Sequence, residues 1–248
     1  MGIRKDNILC ALLLLALPFN RIAAQQDCGM AKDSEGNLYR TVMLGKQCWM
    51  RENLRTTHAP DGTEMKAFTH NIGTERFPGG NPANVLQYGL LYTWNEALNG
   101  ARATENVPSG VQGICPDGWH LPSNFEWMAL EDFLGYRDEY RCGTDVNNVA
   151  KALASREGWV SGQSELHTPC SIADAPENND TSGFCALPSG CYWNGHDGFG
   201  TNTGFWTASE GSDVTSPIHF FSAANATVEI NCTPKEAAYP IRCLKDPN

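Results

Sequence analysis

The stretch GICPDGWHLPSNFEW (Gly113–Trp127) places a cysteine, two tryptophans, a proline-bounded turn and a helix start within fifteen residues. Cys115, His120 and Glu126 are all chemically capable, so one reading is an active site. The other is a fold nucleus in which a cross-link, two core anchors and a helix cap sit side by side. Ser123 stands three residues before Glu126, the spacing of a capping box in which Ser accepts from a backbone N–H and Glu reaches back. Pro122 stops the helix extending backwards. Phe125, Trp127, Met128, Leu130, Phe133 and Leu134 then supply an apolar stripe, closed by Gly135.

Outward from this helix, VNNVAKALAS (Val146–Ser155) predicts a second one, with Val146, Val149, Ala150 and Leu153 on one face. Beyond Gly158 short strands are expected in Gly183–Trp193, Gly204–Glu210, Ile218–Ala223, Ala226–Cys232 and Tyr239–Asp246, separated by Gly, Asn and Ser turns. On the N-terminal side, Tyr88–Gly100 ends in a short helix stopped by Asn99-Gly100, and the polar stretch from His58 to Gln87 reads as a long surface loop. Asn37–Met50 predicts two strands joined through Gly45-Lys46; Leu38, Tyr39, Val42 and Met43 do not alternate, so the inward face is not assigned. DSEGN (Asp33–Asn37) lacks the distal ligands of a calcium loop and reads as a turn. Strands, then helices, then strands imply an α+β chain with one domain.

Arg4 and Lys5 precede the apolar run Ile8–Leu17, and Ala23-Ala24 offers a cleavage site, so residues 1–24 are expected to be a signal peptide. Cys28 follows Gln-Gln-Asp rather than a small residue, which argues against a lipoprotein. Arg4, Lys5 and Arg21 against Asp6 give the leader +2, so its removal moves the formal charge from −10 to −12. An acidic chain without a basic run is not expected to bind nucleic acid, and no stretch of membrane length follows the leader. Of ten cysteines, Cys10 lies in the leader and nine remain, a density that reads as disulfides in an oxidising compartment. No zinc spacing competes. Nine is odd, so one thiol is left free or is linked to a partner molecule.

No hydrolase elbow, zinc-protease helix, phosphate loop or dinucleotide turn occurs. A Cys115–His120 nucleophile pair would have to escape oxidation among eight other cysteines. The residues favour the fold nucleus.

NLYRTVMLGKQCWMRENLRTT, YGLLYTWNEAL, GICPDGWHLPSNFEW, AKALAS, ALPSG, FWTASE and IRCLKD occur in the order that resembles the Fibrobacter succinogenes major paralogous domain (FISUMP), from about Asn37 to Asp246. The resemblance implies an exported or cell-surface protein of Bacteroidetes and Fibrobacteres, and a single domain at 37–246 behind an N-terminal segment, 25–36. GWHLPSNFEW and the terminal IRC are also similar to formylglycine-generating sulfatase modifiers, which implies a C-type-lectin-like fold: two main helices, short and mostly antiparallel strands, and long disulfide-pinned loops. That fold implies a Cys115–Cys243 bridge. The family pattern suggests Cys28–Cys48 and Cys142–Cys170, leaving Cys185, Cys191 and Cys232, one of the first two being expected to pair with Cys232.

Activity does not carry over from the sulfatase modifiers, because the motif around their reactive cysteine pair is not recognisable here. The resemblance therefore implies a non-catalytic recognition or adhesion module with no cofactor and no metal. Its ligand, a glycan or a surface protein, would meet the late-strand loops through Tyr192, Trp193, Asn194, His196 and Asp197, which join aromatic faces to polar tips. The alternatives are a structural component of a surface assembly and, behind it, an oxidase of the formylglycine-generating type.

Overall fold

A computed structural model describes residues 26–69, 72–160 and 168–247; the expected signal peptide lies outside them. The chain is mixed α and β, mostly short strands with few short helices. β1 (Ala31–Lys32) and β2 (Leu38–Tyr39) form a two-stranded ribbon, followed by the hairpin β3 (Thr41–Leu44) and β4 (Gln47–Met50), which turns through Gly45-Lys46 as the sequence predicts. The DSEGN stretch is a turn: Asp33 accepts from the amides of Glu35 and Asn37 and from the Tyr39 hydroxyl.

Within the expected loop, 3₁₀ turns at Lys66–Phe68, Thr74–Arg76, Pro78–Gly80 and Pro82–Asn84 precede α1 (Val85–Tyr88) and α2 (Trp94–Leu98). α2 starts with a second capping box, Thr93 with Glu96, and stops at left-handed Asn99. β5 (Trp119–His120) leads into α3 (Asn124–Gly135), which the Ser123–Glu126 box caps. α4 (Ala150–Leu153) precedes β6 (Ser189–Tyr192), β7 (His196–Phe199), β8 (Asn202–Trp206), β9 (Thr215–Ser222), β10 (Glu229–Pro234) and β11 (Leu244–Lys245).

These strands form a five-stranded sheet, β10-β9-β8-β6-β7, and a four-stranded one, β3-β4-β11-β5. All pairings are antiparallel except β6 with β8. β11 lies between β4 and β5, with Leu244 opposite both Trp49 and His120. The last strand thus ties the first hairpin to the stretch that opens the reading.

The interior has two apolar clusters, and the strands feed both. Trp49 and Phe205 enter one with Trp127, Leu130, Leu134, Leu153 and Phe184; their neighbours Met50 and Trp206 enter the other with Tyr92, Trp94, Ile114, Trp119 and Ile241. Successive strand residues face opposite sides, so these strands are buried on both faces. That explains why the β3–β4 region shows no clean alternation. Trp127 stacks on Phe205 at 5.3 Å and meets Trp49 at 4.7 Å.

Several expectations need correction. The two main helices reduce to one, since α4 keeps only four residues of the predicted Val146–Ser155. Asp145 accepts from the Asn147 amide and from the Asn148 amide through its carbonyl, a local turn that displaces the helix start. α3 buries Trp127, Leu130 and Leu134, whereas Phe125 and Met128 of the predicted stripe face solvent. His196–Phe199, read as loop, is a strand.

The three bridges are Cys28–Cys48, Cys115–Cys243 and Cys142–Cys170. The expected bridge from Cys232 to Cys185 or Cys191 is not formed; all three thiols are free. Cys191 on β6 and Cys232 on β10 are separated by β8 and β9. At about 4.8 Å per strand that spacing exceeds the roughly 7 Å limit between bridged Cα atoms. Cys185 sits in the turn before β6, its amide donating to Asp180 Oδ1 at 2.9 Å.

Candidate functional site

β6 and β7 pair with Tyr192 opposite His196, Cys191 opposite Asp197 and Ser189 opposite Phe199. The turn between them is Trp193-Asn194-Gly195, where Asn194 (φ 56°) and Gly195 (φ 143°) carry the positive φ that a tight reversal requires. The Trp193 amide donates to the Gly195 carbonyl at 2.9 Å. Gly190 is required beneath the turn, because a Cβ there would lie 2.4 Å from the Asp197 carbonyl oxygen. All five residues proposed from sequence therefore occupy one edge hairpin of the five-stranded sheet.

The hairpin carries four rings, Tyr192, Trp193, His196 and Phe199. Trp193 is 45% exposed and Phe199 40%, while the Tyr192 and His196 rings meet edge to face at 5.1 Å. Pro78–Gly80 of the long loop closes against β7: the His196 ring lies over Gly80 and the Phe199 ring over Gly79, each about 3.0 Å from where a Cβ would stand. Tyr88 meets Phe199 at 5.0 Å. Phe199, Tyr88 and this glycine pair escape a sequence reading confined to the turn; the FPGGNP stretch was the available signal, since adjacent glycines permit close approach of rings to backbone. Pro78–Gly80 and Tyr88 thus brace β7 through His196 and Phe199, and Asn194 and Asp197 are exposed.

Cys115 and His120 do not form a nucleophile pair, because Cys115 is bridged to Cys243. His120 instead sits buried between two carboxylates, with Nδ1 2.6 Å from Asp246 Oδ1 and Nε2 3.0 Å from Glu126 Oε1. Glu126 Oε2 also accepts from the amides of Ser109 and Ser123, so its fixed place in the helix cap fixes the imidazole. Burial works to lower the His120 pKa, and the Glu126 and then Asp246 interactions outweigh it, leaving it raised. A histidine with a raised folded-state pKa stabilises fully below its ordinary value of about 6.5 and loses that contribution as pH climbs through the higher folded value. The urea midpoint is therefore expected to fall between pH 6 and pH 9, and His120→Gln to flatten that part of the profile. Equal slopes for the two proteins would refute the assignment.

The free thiols of Cys185 and Cys191 are each pushed up by burial and so are held as thiols rather than thiolates. Among the described residues, no group of three His, Cys, Asp or Glu side chains could hold a metal ion, and no helix is long and apolar enough to cross a membrane. No curated protein and no solved structure matches the chain. A family model does match, over residues 42–245: the Fibrobacter succinogenes major domain.

Proposed function

Because the chain belongs to the Fibrobacter succinogenes major domain family, we propose that it is an exported, non-catalytic recognition module that holds a glycan or a surface protein on the β6–β7 hairpin. The observation that carries this reading is the half-exposed Trp193 at the tip of a hairpin that also carries Tyr192, His196 and the half-exposed Phe199 and is braced by Pro78–Gly80. Large aromatic faces left in water on a rigid edge gain most by covering the apolar face of a sugar or a partner side chain. Three disulfides suit an oxidising compartment and so the proposed signal peptide. The mostly antiparallel strands, with the last one bridged to the segment before α3, are consistent with a C-type-lectin-like arrangement.

A glycan array probed with the wild-type protein and with Trp193→Ala tests the reading. Truncating a central aromatic anchor costs about 2 kcal/mol, so Kd is expected to rise roughly thirtyfold. The melting temperature should hold, because Trp193 is exposed. The structural-component reading is favoured by one observation, the open edge strand β10 with its exposed thiol Cys232. A Cys232-linked oligomer without saturable ligand binding would replace the recognition reading.

A further inference from the structure

A second concavity lies away from the hairpin tip. It has a volume of about 350 Å³ and is walled by segments distant in sequence, among them Arg40, Arg51, Leu86, Arg156, Asp180 and Cys185. Three guanidinium groups meet three carboxylates, Glu52, Glu157 and Asp180, in its lining, a balanced cleft in a chain of formal charge −10. Two of the three carboxylates here are partly engaged. Glu52 uses Oε2 for the Arg40 amide and Oε1 for Arg40 Nε, both at 2.6 Å, and Asp180 Oδ1 receives the Cys185 amide. Arg242, fully buried, donates from Nη2 to the Cys185 carbonyl at 3.0 Å and adds a further positive charge beneath the floor.

Arg51 is the under-bonded member. Its Nε is buried with no hydrogen-bond partner, and its nearest acid contact is Nη2 to Asp180 Oδ2 at 3.7 Å, beyond hydrogen-bond range. Held only through that long contact, this 24% exposed side chain keeps its terminal Nη groups able to take a further acceptor. Asp180 and Cys185, which line the same cleft, are both non-glycine residues with left-handed φ, 58° and 61°. Such conformations persist where surrounding structure imposes them, and they concentrate at binding sites.

We propose that this cleft binds a uronate sugar, with the carboxylate forked by Arg51 and the hydroxyls donating to Asp180 and Glu157. With Nε sealed, the partly exposed Arg51 guanidinium meets a carboxylate through its two terminal Nη groups in parallel bonds. The mixed acid lining accepts hydroxyl protons, which a site for a bare anion would not need. The exposed Leu86 at the mouth offers an apolar surface to the sugar ring. The site stands independently of the aromatic hairpin.

Titration calorimetry with galacturonate, galactose and sulfate on the intact protein tests the assignment. Galacturonate is expected to bind saturably, galactose and sulfate at least about tenfold more weakly, and Arg51→Met to lose about tenfold or more in galacturonate affinity. Trp193→Ala should leave that affinity unchanged, which separates this cleft from the hairpin. A measurement free of variants accompanies it: site-resolved alkylation by iodoacetamide. Galacturonate should slow modification of Cys185 several-fold and leave exposed Cys232 untouched. Sulfate binding as tightly as galacturonate, galactose binding equally well, absence of saturable galacturonate binding, or a Cys185 rate indifferent to galacturonate would each overturn it.

Discussion

Replacing Cys243 by serine should lower the free energy of unfolding by about 5 kcal/mol, and replacing Cys28 by only about 3. The difference follows from the loops that the two bridges close in the unfolded chain: Cys115–Cys243 spans a separation of 128 residues and Cys28–Cys48 one of 20. A cross-link removes entropy from the unfolded ensemble roughly as the logarithm of that length, so the longer loop gives the larger effect. The longer bridge also sits where loosening does most harm. Both of its sulfurs are fully buried, and Cys243 immediately precedes β11, which joins β4 to β5. Urea unfolding followed by tryptophan fluorescence, on each serine variant, gives the comparison. Equal losses for the two variants would mean that native packing, and not loop closure, sets the contribution.

The sequence made the fold nucleus legible because its signals are local. A capping box, the glycine-centred hairpin turn and the Asn99-Gly100 stop are each decided within about four residues, and all three occur in the structure. The inward faces of β3, β4 and β8 were not legible, because strands covered on both sides by separate apolar clusters carry no period-two contrast. The predicted Val146–Ser155 helix failed for a related reason. Its apolar spacing was sound, but the Asp145 side chain offered the backbone a competing partner, and Val146 ended at the surface. For the candidate site, sequence supplied the hairpin tip, a contiguous stretch. It missed Tyr88, Phe199 and Pro78–Gly80, and the cleft around Arg51, since contacts between segments up to a hundred or more residues apart leave no local pattern. The pairing of Cys232 failed on the same count: strand order, which a single sequence does not disclose, puts two strands between it and Cys191.

Arg242→Met should be the most damaging substitution that leaves the disulfides intact. The Arg242 guanidinium is wholly buried and donates to four acceptors: Asn53 Oδ1 at 2.9 Å, the Met50 carbonyl at 3.1 Å, the Phe184 carbonyl at 2.5 Å and the Cys185 carbonyl at 3.0 Å. It also lies 4.5 Å from the Phe184 ring centroid and 5.4 Å from that of Phe205. Burial brings its pKa down to about 10, so it remains charged at neutral pH. Methionine of similar length fills the space yet supplies no donor. With about 1–3 kcal/mol lost for each buried acceptor left unpaired, the total is expected to exceed about 4 kcal/mol, comparable with the whole stability of many domains. Arg242→Lys keeps the charge and much of the stem, but one ammonium cannot span four acceptors contributed by two separate segments, Met50–Asn53 and Phe184–Cys185, so it should recover less than half of the loss. The effect should also reach the candidate sites, because the bonds to Phe184 and Cys185 anchor the segment that leads into β6 and the lining of the Arg51 cleft. Hydrogen exchange is therefore expected to rise first at Phe184–Tyr192 in the lysine variant, before the apolar cluster around Trp94 and Trp119 opens. If methionine proves no worse than lysine, apolar packing and not hydrogen bonding is what Arg242 contributes, and the anchoring of the hairpin must be sought elsewhere.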